Sequence, residues 1–158
     1  MKKLLEFCQS LPESTFDAGE VILPEGSSTG VIYILGEGEV EVVKRDIQVT
    51  LIDEPGSIFG ELSVLLGTPH MATVRAVRPT RLYKVDDPEG FLQSNTEICY
   101  RLSQLLAQRL HSVTNYLVDI KEQYKDHDDH FGMIDEILDT LVNQQGEEPT
   151  PGSDRDPV

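Results

Sequence analysis

Short β-branched segments separated by glycine-containing turns dominate this 158-residue chain up to Val85. In residues 39–42 polar and apolar side chains alternate, as expected for a strand with one face in water. Many short strands with glycine turns are typical of a β-sandwich or β-barrel. A short helix is predicted within residues 1–14, stopping at Pro12. The predicted strands span residues 15–16, 21–23, 31–35, 40–43, 48–52, 73–76 and 81–85.

Residues 59–76 contain the most distinctive local pattern in the chain. A Gly-Glu-Leu turn at residues 60–62 is followed by a short apolar helical turn, a Thr-Pro loop at residues 68–69 and a β-branched strand. This order makes a compact concavity in which backbone N–H groups can face an anion. The sequence therefore predicts an anion-binding loop between the strands and the later helices.

This stretch closely resembles the phosphate-binding cassette of the cyclic-nucleotide-binding domain family. That family includes the catabolite activator proteins and the regulatory subunits of the cAMP-dependent kinase. The resemblance covers residues 15–125 and implies a mainly β fold with helices, an eight-stranded jelly roll with a long C-terminal helix and a further short helix. The matching segments are residues 18–20, 24–26, 33–38, 59–62 and 72–74.

The resemblance also implies the ligand and the residues that bind it. In the family the cassette Glu takes the ribose 2′-OH, backbone N–H groups hold the cyclic phosphate and an Arg neutralises its charge. Glu61, with the backbone of Gly60 and Leu62, is therefore expected to bind cAMP or cGMP, and no other cofactor is implied. This sequence departs from the pattern because His70 replaces the Arg and Met71 replaces a small residue. An imidazole is mostly neutral near pH 7 and lacks the donor fork of Arg, so weakened binding is expected.

Three further residues belong to the candidate ligand site. Thr73 lies in the matching part of the cassette. In the resembled family the long helix places polar residues against the base of the nucleotide, a role that Thr114 and Asn115 could have here. The alternative is that both are solvent-facing helix positions.

The longest periodic segment begins at Leu102, with apolar residues three or four positions apart as in an amphipathic helix. From Leu106 onward the spacing is a heptad repeat of the kind that pairs helices. The resembled family pairs two subunits through this helix, so we expect a homodimer. The alternative is that the apolar side packs on the protein's own sheet. The predicted dimer interface consists of Leu106, Leu110, Val113, Leu117, Ile120 and Tyr124.

The region after the long helix is predicted to have three parts. Residues 126–130 contain His and Asp, but five consecutive residues cannot converge on one metal ion, so a polar hinge is favoured. A helix is predicted for residues 131–142, and the Gly, Pro and acidic residues of 144–158 predict a disordered tail. The predicted domains are therefore a cyclic-nucleotide-binding-like domain over 1–125, a helical appendage over 126–143 and this tail.

The formal net charge of −15 argues against binding to nucleic acid, because an acidic chain repels phosphate backbones. Two distant cysteines, Cys8 and Cys99, show no metal-binding spacing and indicate a reducing compartment. No apolar stretch approaches the roughly 20 residues that span a bilayer. We therefore expect a cytoplasmic protein without membrane insertion.

The sequence contains no pattern typical of an enzyme. There is no Gly-x-Ser-x-Gly motif, and the histidines do not form a metal motif on a strand. Glu37, Glu39 and Glu41 alternate, which predicts the solvated edge of one strand rather than paired catalytic carboxylates. No catalytic residue is therefore predicted.

Two functions remain open from the sequence. The first is a regulatory adaptor with weak or lost binding of cAMP and cGMP, acting through dimerisation and a protein partner. The second is a working cAMP or cGMP sensor that signals to a separate effector protein.

Overall fold

The computed structural model describes residues 2–124 and 132–143. The chain divides into two units, Met1–Cys99 and Tyr100–Val158. The described strands are β1 (Glu13–Phe16), β2 (Val21–Leu23), β3 (Ile32–Glu37), β4 (Val40–Lys44), β5 (Ile47–Ile52), β6 (Ile58–Phe59), β7 (Thr73–Ala76) and β8 (Thr80–Val85). The described helices are α1 (Lys2–Cys8), α2 (Glu61–Leu66), α3 (Pro88–Ser94), α4 (Thr96–Gln123) and α5 (Gly132–Asn143).

The eight strands form two antiparallel sheets. Strands follow the order β1-β8-β3-β6 in the first sheet and β2-β7-β4-β5 in the second. In the second sheet β4 and β7 pair so that Val40 lies opposite Ala76 and Val43 lies opposite Thr73. This register places the start of β7 next to the end of β4, where the chain turns into β5.

The hydrophobic core draws its side chains from both sheets. Burial of apolar surface contributes about 1.5–3 kcal/mol for each large side chain, so this layer is the main source of stability. Phe16 packs its ring edge to face with Tyr33, with ring centroids 5.9 Å apart. The buried core residues are Ile22, Leu23, Tyr33, Leu35, Val40, Phe59, Val74, Ala76 and Leu82.

The expected fold is confirmed in its main features. Eight antiparallel strands lie in two sheets, followed by a long helix and a further short helix, as in a jelly roll. Among the described helices, none combines the length and apolarity needed to cross a membrane. The predicted domain boundaries remain predictions, and the predicted hinge at 126–130 and tail at 144–158 lie outside the described residues.

The first strand begins two residues earlier than the sequence indicated. Glu13 is already part of β1 and pairs with Tyr83. The carbonyl of Pro12 accepts a hydrogen bond from the Lys84 N–H at 2.8 Å. Pairing with β8 therefore extends the strand through residues that have no alternating pattern of their own.

The sequence reading of two other segments needs correction. β6 was not predicted, because two residues are too short to show a period and only pairing with β3 defines the strand. Glu37, Glu39 and Glu41 do not share one strand, because the chain turns between β3 and β4. Glu39 and Glu41 are half-buried and form ion pairs with Arg78 and Arg75 at 3.7 and 2.6 Å.

The second unit contains most of α4 and all of α5. On α4 the side chains of the predicted dimer interface are partly accessible to solvent. Leu110, Val113 and Tyr124 are exposed. Leu106, Leu117 and Ile120 are half-buried. An ion pair joins Lys121 of α4 to Asp135 of α5.

Replacing Gly38 by Ala should strongly destabilise the fold. Gly38 has a φ of 117°, and an added Cβ would lie 2.6 Å from the Cα of Thr80. We expect the free energy of unfolding to fall by about 2–4 kcal/mol, because strain and overpacking combine. Gly19→Ala is the matched control, since Gly19 also has a positive φ of 88° but has open space around it. Urea denaturation of the wild type and both variants measures the free energy of unfolding. Equal decreases in Gly38→Ala and Gly19→Ala would contradict the packing argument.

Candidate functional site

A left-handed turn at Gly60 begins the cassette. Gly60 has a φ of 86° and forms the N-terminal cap of α2. An added Cβ would lie 2.7 Å from the carbonyl oxygen of Val31 and 3.2 Å from the Cδ1 atom of Leu23. Only glycine tolerates both the backbone conformation and this close approach. The turn therefore holds the start of α2 against the strands.

The short helix α2 carries the candidate carboxylate. Glu61 is its first residue and is only 4% exposed, whereas Leu62 is exposed. The hydroxyl of Ser63 donates a hydrogen bond to the carbonyl of Thr68 at 2.5 Å, and Gly67 ends the helix in a left-handed conformation. A buried carboxylate is costly unless it is hydrogen-bonded, so Glu61 occupies a specific place in the turn.

His70 lies inside the cassette and binds the loop between β2 and β3. Its N–H donates to the carbonyl of Ser27 at 2.8 Å, and its carbonyl accepts from the Gly26 N–H at 2.8 Å. The Nε2 atom shares a hydrogen bond of 2.7 Å with the Thr29 hydroxyl. The side chain is 5% exposed, and its Cε1 atom lies 3.6 Å from where a Cβ on Gly60 would be.

The environment of His70 favours a neutral ring. Burial lowers the pKa of the imidazole below its usual value, because the charged form loses its hydration. One ring nitrogen is already bonded to Thr29. This arrangement links the cassette to the neighbouring loop and supplies little positive charge.

The remaining predicted site residues lie in two different parts of the chain. Met71 is exposed, and the hydroxyl oxygen of Thr73 accepts a hydrogen bond from the Glu25 N–H at 3.0 Å. In the second unit, Thr114 donates to the carbonyl of Leu110 at 2.8 Å. The Asn115 amide nitrogen lies 3.1 Å from the Nε2 atom of His111. The predicted base-contacting role of Thr114 and Asn115 stays a prediction.

Sequence reasoning missed the two polar partners of the cassette, Glu25 and Thr29. Both lie in the loop that follows β2, more than 40 positions before the residues they bind. The available signal was the Pro, Gly and Ser content of that loop, which indicated a turn but no partner. In the described residues, no group of three or more His, Cys, Asp or Glu side chains could hold a metal ion.

A family model and a relative both match this chain, and the family match contains this site. The model of the family described as Cyclic nucleotide-binding domain matches residues 13–93. The cAMP-dependent protein kinase regulatory subunit of Yarrowia lipolytica is 40% identical over 78 residues. That match covers 49% of this chain and 20% of the regulatory subunit, so this chain spans about a fifth of that relative's length.

Two solved structures have the same fold. The structure of Thermus thermophilus catabolite activator protein aligns with a TM-score of 0.66 at 22% identity, covering 77% of this chain and 60% of that chain. The N-terminal domain of a transcriptional regulator from Streptomyces coelicolor A3(2) aligns with a TM-score of 0.52 at 25% identity, covering 71% of this chain and 84% of that chain. The first likeness, at this identity, shows the fold alone.

The stability of the protein should depend on the protonation of His70. Because burial lowers the pKa of this imidazole, the unfolded state binds more protons than the folded state as the pH falls below about 7. The free energy of unfolding should therefore decrease between pH 7.5 and 5.5. In His70→Gln this decrease should be smaller, as measured by urea denaturation across the pH range. His111→Gln, at an exposed position, is the control and should follow the wild type. Identical pH slopes for all three proteins would contradict the prediction.

Proposed function

Since this chain belongs to the cyclic nucleotide-binding domain family, we propose that it is a non-enzymatic regulatory adaptor with weak or lost binding of cAMP and cGMP. It acts through dimerisation and a protein partner. The observation that supports weak binding is the buried His70 ring, bonded to Thr29, at the position where the resembled family has an Arg.

The expected cost of this replacement follows from the chemistry of phosphate binding. Charge-assisted hydrogen bonds contribute roughly 1.5–3 kcal/mol each, and Arg offers two in parallel to one phosphate. A neutral ring that is engaged by Thr29 offers neither the charge nor the fork. The affinity for a cyclic nucleotide is therefore lower by about two or more orders of magnitude than with Arg in place.

A working sensor of cAMP or cGMP is the second candidate. Two observations favour it, the left-handed turn at Gly60 and the buried Glu61 directly after it. In this case Glu61 holds the ribose, with backbone N–H groups from Gly60 to Leu62 on the phosphate. Met71 and Thr73 border the ligand, and Thr114 and Asn115 approach its base. A separate effector protein then reads the bound state.

Dimerisation is proposed through the heptad seam of α4, which consists of Leu106, Leu110, Val113, Leu117, Ile120 and Tyr124. Val113 is 53% exposed and Leu110 is 46% exposed on the single chain. Pairing two such seams removes this apolar surface from water, which is favourable by roughly 25 cal/mol for each Å².

The wider setting of this proposal is a cytoplasmic regulatory complex. The acidic chain is unsuited to nucleic acid, since its net charge is −15. Cys8 is a buried thiol, as expected in a reducing compartment. The protein therefore transmits its state to another protein rather than acting on DNA, on a membrane or as an enzyme.

Changing His70 to Arg should strengthen cAMP binding by at least about tenfold, because a permanent charge and a donor fork are restored. Calorimetric titration with cAMP and cGMP, sensitive to dissociation constants up to about 1 mM, measures both proteins. Adenosine is the matched ligand control, since it lacks the phosphate and should gain nothing. A correctly folded His70→Arg protein without any gain would contradict the role given to this position.

Changing Val113 to Glu should convert the dimer to a monomer, because the charge would be buried in the heptad seam. The fold of each chain should survive, since Val113 is exposed on the single chain. Analytical ultracentrifugation measures the mass of both proteins. Gln108→Glu, at an exposed position on the opposite side of α4, is the control and should remain dimeric. A monomeric wild type, or a dimeric Val113→Glu, would exclude this interface.

A further inference from the structure

Strand β5 is an open edge of the second sheet. It ends the strand order β2-β7-β4-β5, so among the described strands only β4 pairs with it. The free side of an edge strand presents backbone N–H and C=O groups to which another extended strand can bind. This edge is therefore a surface to which a further strand can be added.

The side chains of β5 make this edge apolar. Ile47, Val49 and Leu51 occupy alternate positions of the strand and are 69%, 61% and 51% exposed. Proteins commonly protect an open edge with charged side chains, but β5 itself contains none. Association at this edge is favourable, because it removes the exposed apolar side chains from water.

Opposite charges lie at the two ends of this strand. Residues 44–46, which are Lys, Arg and Asp, precede β5 and are net positive, whereas Asp53 and Glu54 follow it and are negative. Arg45, Asp53 and Glu54 are exposed, and none of the three forms an ion pair with a described side chain. The edge therefore has a positive end and a negative end.

A second copy of β5, running antiparallel, matches both the apolar side chains and the charges in one register. When Val49 lies opposite Val49 of the second copy across a two-fold axis, each Ile47 lies opposite a Leu51. The same register places each Arg45 opposite an Asp53. Directly opposed side chains in an antiparallel ladder share a face and lie about 4.5–5.5 Å apart. Apolar side chains therefore meet apolar ones, and each positive charge meets a negative one.

A shift of this register by one residue loses the charge match. In one direction Asp46 lies opposite Asp53, and like charges directly opposite each other are destabilising. In the other direction Arg45 lies opposite Ile52, so the ion pair with Asp53 is lost. The register centred on Val49 is therefore favoured over its two neighbours.

The irregular backbone of β5 also favours a copy of the same strand. The pairing with β4 shifts between Val42 and Val43, and Val49 has no Cα partner there. A bulge of this kind bends and twists an edge, so a regular strand follows it poorly. A second β5 has the same bulge, and the two-fold axis at Val49 brings the two bulges together.

We propose that the free edge of β5 binds β5 of a second copy of this chain, antiparallel and centred on Val49. This contact goes beyond the proposed function, because it uses neither the cassette nor the heptad seam of α4. It involves only six residues of each copy, and small interfaces are weak and transient. We expect a dissociation constant of about 100 μM or above, so dilute protein shows only the pairing through α4.

Changing Val49 to Cys should allow two copies to be joined by one disulfide, because opposed Cβ atoms at the two-fold axis lie close to disulfide distance. The variant is made in the full chain with Cys99→Ser, which removes an exposed thiol, whereas Cys8 is buried and is kept. With diamide as the oxidant and concentrated protein, a non-reducing denaturing gel measures the covalent dimer. Thr50→Cys is the matched control, since Thr50 is also exposed but lies opposite Gln48 of the second copy. Val49→Cys should cross-link at least about tenfold faster than Thr50→Cys.

Reversing the charges at the two ends tests the same contact by a second route. Arg45→Asp or Asp53→Arg, each added to Val49→Cys, should slow cross-linking by about three- to tenfold, because like charges then lie opposite each other twice in the pair. The double reversal should restore the rate, since each positive charge again meets a negative one. Residue 45 has a φ of 49°, a conformation that Asp adopts more readily than Arg, so the turn should keep its fold.

Four outcomes would overturn this inference. Absence of a covalent dimer of Val49→Cys would exclude the contact, and equal rates for Val49→Cys and Thr50→Cys would exclude the register. Single reversals that leave the rate unchanged would exclude the charge match. A double reversal that stays slow would show that the single changes disturb the turn rather than the pairing. The proposed function stands in all four cases, because cAMP titration and the mass of the dilute protein test it separately.

Discussion

The close approach between the backbone at Gly60 and the carbonyl of Val31 is the contact on which the rest of the site depends. No side chain fits there, and the left-handed φ of 86° is one that L-residues rarely adopt. Because Val31 leads directly into β3, this approach fixes the cassette against the first sheet. Glu61, which follows this turn directly, is buried as a result. The ring of His70 packs beside the same turn.

His70 connects the cassette to the loop after β2 by hydrogen bonds, and its neutral ring adds no positive charge there. Its backbone and its ring bind residues 26–29, so the cassette and the loop after β2 form one hydrogen-bonded assembly. Burial keeps the pKa of the ring low, so this connection is made by a neutral group. A guanidinium at the same place would have to remain charged, and it would need an anion such as phosphate to offset its desolvation.

The acidic character of the chain makes the distribution of its few unpaired cations important. Ion pairs engage four of the six Arg and Lys side chains described in the sandwich, as in the contact between Arg75 and Glu41. Lys44 is the last residue of β4 and Arg45 lies in the turn that follows, and neither side chain forms an ion pair with a described carboxylate.

The sequence by itself determined the class of the fold, and it predicted where the candidate site lies. Seven of the strands follow from β-branched segments and glycine turns, because these are local preferences of the backbone. The Gly-Glu-Leu turn at residues 60–62 also follows from local chemistry. By contrast, β6 has only two residues and exists because β3 pairs with it.

The tertiary structure alone decided which residues surround the cassette. Thr29 bonds to His70 across 41 positions, and Glu25 bonds to Thr73 across 48. Local periodicity contains no information about such distant pairs, because they depend on how two sheets bring separate loops together. The same reason applies to Arg45, whose N–H donates a hydrogen bond to the Glu25 carboxylate across 20 positions.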